Sequence, residues 1–568
     1  MNLNNENKMD YDAIVIGSGI SGGYAAMELC KKGYKTLMLE RGRMVKHGEY
    51  PTANLDPWEL PMQNKVSREE TDKHYFKQNR LNWWVRQDNK HWVNKDDEYP
   101  YEEIERFDWI RGHHVGGRSI MWGKHCYRWS DLDFEANKKE NIAIDWPIRY
   151  KDIEPWYDYV ETFVGVSGQK EGLAQVPDGV FLPPFPLNCA EENFREEVRN
   201  KYPERIVTPG RVANLTEYDP KVHKGLRGQC QSRNRCHRGC PFGAYYSSVS
   251  ASIPVAEETG NLTIRPNSIV SEIIYNKDSG KASGVKLIDA ITGEKIEISS
   301  RIIFCNASTV GSTAILLNSR SETFPNGLGN GSGELGHNIM DHHYGMGASA
   351  LYPGFKDTYY KGRKPLGFYI PRFRNINEAT HQKEYLRGFG YQGAITRGHN
   401  NPEHMLGKEL KGEIFKPGPY YAGMTCFGEM LPYHDNKMFL DFSKTDKHGM
   451  PIITFDAKLR ENEFKLREDG VRCAVEMLEA AGCKDIQSYN KLTAVGAAIH
   501  EMGTARMGRD PKTSVLNKWN QVHEVPNVFI TDGACMTSSG TQNPSITYMA
   551  LTARAVDFAD RQMSKNIL

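Results

Sequence analysis

The sequence predicts a mixed α/β protein, in which a helix-flanked parallel sheet is joined to a second domain built on an antiparallel sheet. Three observations carry this. A strand, a glycine turn and a helix follow one another at the amino end, a second strand-turn-helix unit spans 301–317, and strand-like runs separated by Gly and Pro turns fill 351–492. With 568 residues the chain has room for two or more domains. Its 72 Lys and Arg balance 71 Asp and Glu, which excludes a general electrostatic attraction to nucleic acid or anionic membrane, so partners must be argued from sites.

Tyr11-Asp-Ala-Ile-Val-Ile16 reads as a buried strand that runs into Gly17-Ser-Gly19-Ile-Ser-Gly22 and a helix through Ala25, Leu29 and Cys30. Gly17 permits the tight turn, Gly19 lets backbone approach a pyrophosphate, and Gly22 lets the helix pack on the strand, a Rossmann-like arrangement with phosphate at the helix N-terminus. The next strand, Lys35–Leu39, ends at Glu40 and Arg41. A carboxylate at that place accepts ribose hydroxyls and repels a 2'-phosphate, which favours NAD or the ADP half of FAD over NADP. The motif alone leaves NAD and FAD open.

Between 261 and 288 the runs Asn261–Val270, Glu272–Tyr275 and Gly284–Ile288 alternate apolar and polar residues, as in a small antiparallel layer. Arg301–Cys305, the turn from Asn306 and the helical Ala314–Leu317 form a further unit of the parallel sheet. Met438–Phe442 and Pro451–Phe455 are expected as strands of a substrate-binding sheet. Glu461–Ala481 has helical periodicity, with Phe464, Val471, Val475 and Leu478 expected on the core face and Gly482 as the cap. Residues 45–105 carry no readable motif. Met1–Asp10 has neither an apolar signal core nor a twin-arginine pair, and no run is apolar for the length of a membrane span.

The carboxyl end carries the chemistry. His500-Glu-Met-Gly-Thr-Ala-Arg-Met-Gly508, Val528-Phe-Ile-Thr-Asp-Gly533 and Thr541-Gln-Asn-Pro-Ser545 follow in order. Imidazole can take a hydroxyl proton near neutral pH, and an amide can orient the same hydroxyl without ionising. This ordered block resembles the glucose-methanol-choline (GMC) flavoprotein oxidoreductases, in which His500 and Asn543 match the catalytic pair. Arg111-Gly-His-His-Val-Gly-Gly-Arg-Ser-Ile-Met-Trp-Gly123 resembles the family segment that lies along the flavin, which turns the dinucleotide reading to FAD. Met121 stands where sugar-oxidising relatives with covalent flavin have His, so noncovalent FAD is expected. The resemblance implies cofactor contacts from Gly17, Gly19, Gly22, Glu40, Arg41, Gly116, Gly117, Ser119, Met121, Trp122, Val270, Ala307, Asp532, Gly533, Asn543, Pro544 and Ser545. Gly336-His-Asn-Ile-Met-Asp-His342 resembles another family segment, and His342 and His343 are expected to be simply hydrogen bonded rather than substrate or metal residues.

Eleven cysteines, an odd number, speak against a fully paired disulfide framework. Three of them, Cys230, Cys236 and Cys240, fall within eleven positions among Arg233, Arg235 and Arg238, which would moderate the charge of an anionic centre. Iron-sulfur, zinc with His237 as a fourth ligand, and free thiols are all compatible with the spacing. The pattern resembles bacterial FAD-dependent glucose dehydrogenase catalytic subunits, which implies a 3Fe-4S cluster passing electrons singly to a cytochrome.

The resemblance further implies FAD-binding segments at 8–130, 225–335 and 495–568 and substrate-domain segments at 131–224 and 336–494. It implies an FAD-dependent sugar dehydrogenase, similar to glucoside 3-dehydrogenases and pyranose-oxidising members, that oxidises a ring secondary hydroxyl of a sugar or glycoside, with a ketone or lactone as product. Such enzymes work with a small signal-bearing export partner and a c-type cytochrome, implying a periplasmic site, with the cytoplasm as the alternative. The rivals are a sugar oxidase reducing oxygen to peroxide and a non-catalytic flavin-binding subunit.

Overall fold

The computed structural model describes residues 9–81, 84–355, 366–400, 402 and 404–568, so the first eight residues read for an export signal lie outside it. The first sheet grows from strand Tyr11–Ile16, whose last four residues are buried; removing each large apolar side chain from water contributes about 1.5–3 kcal/mol. It pairs in parallel with Thr36–Leu39 on one side and with the end of Lys295–Cys305 on the other. Helix Ile20–Lys31 and the long carboxy-terminal helix Ser545–Met563 pack against each other beside this sheet.

Lys295–Cys305 serves two layers. Its carboxyl half lies parallel to Tyr11–Ile16, while its amino half pairs antiparallel with Lys281–Asp289, which pairs in turn with Ser268–Asn276. The expected antiparallel layer is therefore continuous with the parallel sheet. One assignment is corrected: Leu262–Arg265 belongs to the parallel edge beside Thr36–Leu39, because the Asn267 turn separates it from the hairpin.

The second sheet is antiparallel, in the order Lys484–Asn490, His343–Tyr352, Pro417–Gly428, Phe389–His399, Phe368–Ile370 and Thr208–Pro209. The strands expected from Met438–Phe442 and Pro451–Phe455 form, but not here. They make a separate small sheet, Lys437–Thr445 with Pro451–Asp456, which takes Glu102–Glu103 as its third strand. The unreadable segment 45–105 thus supplies a sheet edge, several short turns and helix Arg68–His74.

Helix Glu461–Ala480 covers the second sheet, with Gly482 beyond its end at φ 68°. Of the expected core face, Leu478 is buried and Val471 and Val475 pack partly buried against the core, so the correction concerns Phe464. Leu466, Cys473, Ala474, Met477 and Leu478 face the core, whereas Phe464 is 41% exposed. Arg467 and Asp469 on the same helix are buried in polar partnerships: Arg467 donates to the Tyr344 and Lys491 carbonyls, and Asp469 pairs with Arg374. Among the described residues no helix is long and apolar enough to cross a membrane.

Candidate active site

The two ends of the chain meet at one cavity of about 550 Å³. Gly17, at φ 93°, turns the chain out of the first strand so tightly that a Cβ there would lie 2.3 Å from the Asn306 carbonyl oxygen. Gly22 sits on that turn, with 1.9 Å between its would-be Cβ and the Gly17 oxygen. Glu40 braces the turn: its carboxylate accepts from the Ser18 hydroxyl at 2.5 Å and from the Gly42 amide at 2.9 Å. Burial pushes the Glu40 carboxyl up, and these bonds pull it back.

The cavity runs from Gly17, Gly19, Glu40 and Arg41 past Gly117, Ser119, Met121, Trp122, Val270 and Ala307 to Asp532, Gly533, Asn543, Pro544 and Ser545. Gly22 and Gly116 do not line it and act through packing instead; Gly116, at φ 93°, receives Ile120 and Val249 where a side chain would stand. The wall carries buried polar atoms without protein partners: the Asn306 amide nitrogen, the Tyr548 hydroxyl and Arg41 Nε. An elongated cavity with a glycine-lined entry and orphaned donors fits a dinucleotide, whose phosphates and ring edges would satisfy them.

His500 lies at the other end. Asp341 fixes its backbone, accepting from the His500 amide at 3.0 Å and from the Ala498 amide at 2.9 Å. The ring Nε2 meets Asn543 Nδ2 at 3.2 Å, so the expected pair is brought together. Burial, with the charges of His342, Arg118 and His125, holds the imidazole well below its ordinary range, so the neutral, proton-accepting form is present at neutral pH. Burial and the Glu501 charge push the Asp341 carboxyl up to about 7. Asp532 caps the short turn Gly533–Cys535 through the Ala534 amide, and burial raises it to about 6.

Three contributors were not singled out from the sequence. Gln392 donates through Nε2 to Asn543 Oδ1 at 2.7 Å. Arg118, on the cavity wall, grips buried Glu501 at 2.8 Å, tying the loop from Gly116 to the segment that carries His500. Tyr548 lies near the start of helix Ser545–Met563, five residues after Asn543. Only spacing from Asn543 could have flagged Tyr548; Gln392 sits in a strand with no motif around it. His342 is hydrogen bonded, as expected, to His500 and to the Gly540 carbonyl, whereas the same expectation for His343 is corrected: its buried ring nitrogens meet no partner at hydrogen-bond geometry among the described residues.

The cysteine segment departs from expectation. Cys230, Cys236 and Cys240 line one small cavity of about 30 Å³, yet among the described residues no group of three or more His, Cys, Asp or Glu is placed to hold a metal ion. The residues as placed do not fit a 3Fe-4S cluster or a zinc site. All eleven cysteines are thiols. His237, the fourth ligand of the zinc alternative, lines the large cavity and not the small one. The arginines have structural partners: Arg233 the Ala53 carbonyl, Arg235 Asp56, and Arg238 Asp88 at 3.1 Å, so they pin the cysteine loop to the 53–88 segment.

The chain matches models described as GMC oxidoreductase over residues 11–344 and 432–552. It is 28% identical over 566 residues to 2-methyl-1,2-propanediol dehydrogenase of Mycolicibacterium austroafricanum, covering 97% of this chain and 96% of that protein. Fructose dehydrogenase large subunit of Gluconobacter japonicus is 24% identical, with 96% and 97% covered, and paromamine 6'-oxidase of Streptomyces fradiae 26%, with 96% and 90% covered. Among solved structures, pyridoxine 4-oxidase from Mesorbium loti superposes with a TM-score of 0.59 at 14% identity, covering 96% of this chain and 98% of that one. At that identity the likeness concerns the fold.

Proposed function

The chain belongs to the GMC oxidoreductase family, whose members bind FAD and act on CH–OH groups, and from that premise we propose an FAD-dependent sugar dehydrogenase that oxidises a ring secondary hydroxyl, as at C3 of a glucoside. The observation that carries this is the pairing of His500 Nε2 with Asn543 Nδ2 on the wall of a cavity that also holds the dinucleotide turn. FAD, when bound, supplies the two-electron acceptor for the hydride leaving the carbinol carbon. Met121 has no group for a histidyl-type link, which supports noncovalent binding.

His500 takes the hydroxyl proton at Nε2. Asn543 donates its amide N–H to the same oxygen and keeps it in line. Gln392 holds the amide in the orientation that presents nitrogen to that oxygen. The surrounding wall supports a polyhydroxylated substrate: Gln392, Lys124 and His125 bring polar groups, and Phe427, 6.5 Å from His500 between ring centroids, brings an aromatic face. Relatives named for a diol and for fructose favour the same substrate class.

In this reading the electrons leave to an external carrier such as a c-type cytochrome, in the periplasm, with a signal-bearing partner providing export. A relative named as a large subunit supports partner proteins. A second reading, a sugar oxidase, is favoured by the paromamine oxidase relative. Anaerobic titration with candidate sugars and glycosides tests the proposal: bleaching of the flavin is expected, and an unchanged spectrum with every sugar would point to a non-catalytic flavin protein. Peroxide formation matching dye reduction would favour the oxidase.

A further inference from the structure

His342 and His500 stand ring to ring, with Nδ1 atoms 2.8 Å apart, centroids 4.9 Å apart and planes perpendicular. Asp341 brings them together, since Oδ1 accepts from the backbone amides of both. The other nitrogen of His342, Nε2, faces the Gly540 carbonyl. A carbonyl only accepts, so this contact places the His342 proton on Nε2. Burial lowers His342 to about 4, so the ring is neutral at pH 7 and its Nδ1 is a bare lone pair. The contact between the rings is then a hydrogen bond only if His500 carries its proton on Nδ1.

That assignment leaves the His500 lone pair on Nε2, the atom that faces Asn543 Nδ2. Asn543 Oδ1 in turn accepts from Gln392 Nε2. One donor-to-acceptor direction therefore runs unbroken from Gln392 through Asn543, His500 and His342 to Gly540. It is set at the Gly540 end, because reversing the His342 tautomer would point a lone pair at a carbonyl oxygen. Among the described residues His342 supplies the hydrogen-bond partner of His500 Nδ1.

We propose that His342 is a positioning residue that locks His500 in the tautomer protonated on Nδ1, with its lone pair on Nε2 directed at Asn543 and the cavity. The proposal rests on the reading of His500 as the base. It adds a reason why the base is ready without a prior proton shift: the tautomer is chosen by a backbone carbonyl two residues away in the chain of bonds.

The test uses FAD-loaded enzyme and three variants. His342→Leu removes the acceptor, whereas His342→Asn presents a side-chain oxygen near the place of Nδ1 and keeps it. Nitrogen-15 NMR of the histidine rings should find His500 protonated on Nδ1 in the wild type. His342→Leu should lose that tautomer and slow the limiting rate of flavin reduction by roughly 10- to 100-fold, a part of the about 10²–10⁴ that a placed base contributes, with substrate affinity changed less than about threefold. His342→Asn should recover to within a few-fold of wild type. Protonation of wild-type His500 on Nε2, or equal damage in the Leu and Asn variants, would overturn the proposal; the wild-type spectrum decides even if a variant fails to fold. His500→Ala separates the two readings, because near-normal reduction in that variant defeats the base assignment whatever the tautomer.

Discussion

Gln392→Glu replaces an amide by a carboxylate of the same shape at the side chain that donates to Asn543 Oδ1. In the wild type Gln392 Nε2 donates to Asn543 Oδ1 at 2.7 Å, and Asn543 Nδ2 donates to His500 Nε2 at 3.2 Å. Turning the Asn543 amide over forfeits both bonds, each worth about 0.5–1.5 kcal/mol net, and sets donor against donor at Gln392 and oxygen against the lone pair of His500 Nε2. A carboxylate at 392 can only accept, so the preference reverses and the amide turns its nitrogen away from the base. Opposing acceptors cost about 1–3 kcal/mol, which is roughly a 5- to 150-fold loss of the productive orientation at 1.4 kcal/mol per tenfold. Gln392→Leu removes the bond without reversing it and should lose less, about 3- to 10-fold. Anaerobic stopped-flow flavin reduction over a range of sugar concentrations reads both variants, with the bound-flavin spectrum checking the cofactor. Gln392→Glu no worse than Gln392→Leu would refute the orientation argument.

Further outcomes follow from the same geometry. Arg118→Met should leave Glu501, 1% exposed at its side chain, without its ion-pair partner; with the arginine a quarter exposed the cost should be about 2–4 kcal/mol, read as a lower denaturation midpoint, and an unchanged midpoint would contradict it. Gly22→Ala puts a methyl 1.9 Å from the Gly17 oxygen, so the helix must leave the turn; the purified protein should hold at least about tenfold less FAD by absorbance, and full occupancy would show that the close packing is dispensable. The His500 pKa is depressed, so its neutral form persists as pH falls through 6.5 and disappears only further down. Limiting flavin reduction should therefore stay flat from about pH 8 to pH 6, and an acid limb centred near 6.5 would contradict the burial argument.

What was legible in the sequence is what local chemistry dictates. The glycine turn from Gly17 to Gly22 announces itself because no other residue fits those approaches, and His500 and Asn543 stand in a block whose order is distinctive. Gln392 and Arg118 were missed because their roles exist only after 151 and 383 residues of chain separation are closed by folding. On Glu461–Ala480 the apolar spacing found Val471, Val475 and Leu478 but not the buried Arg467 and Asp469, whose partners lie elsewhere in the chain. The cysteine spacing suggested a ligand set, but spacing fixes neither thiol direction nor the use of the neighbouring arginines as struts to Asp56 and Asp88.

The most direct measurement is the rate of anaerobic flavin reduction by a reactive sugar in His500→Ala. If His500 takes the hydroxyl proton, the rate falls by roughly 10²- to 10⁴-fold while FAD stays bound with its normal spectrum. Reduction within a few-fold of the wild-type rate would contradict the account.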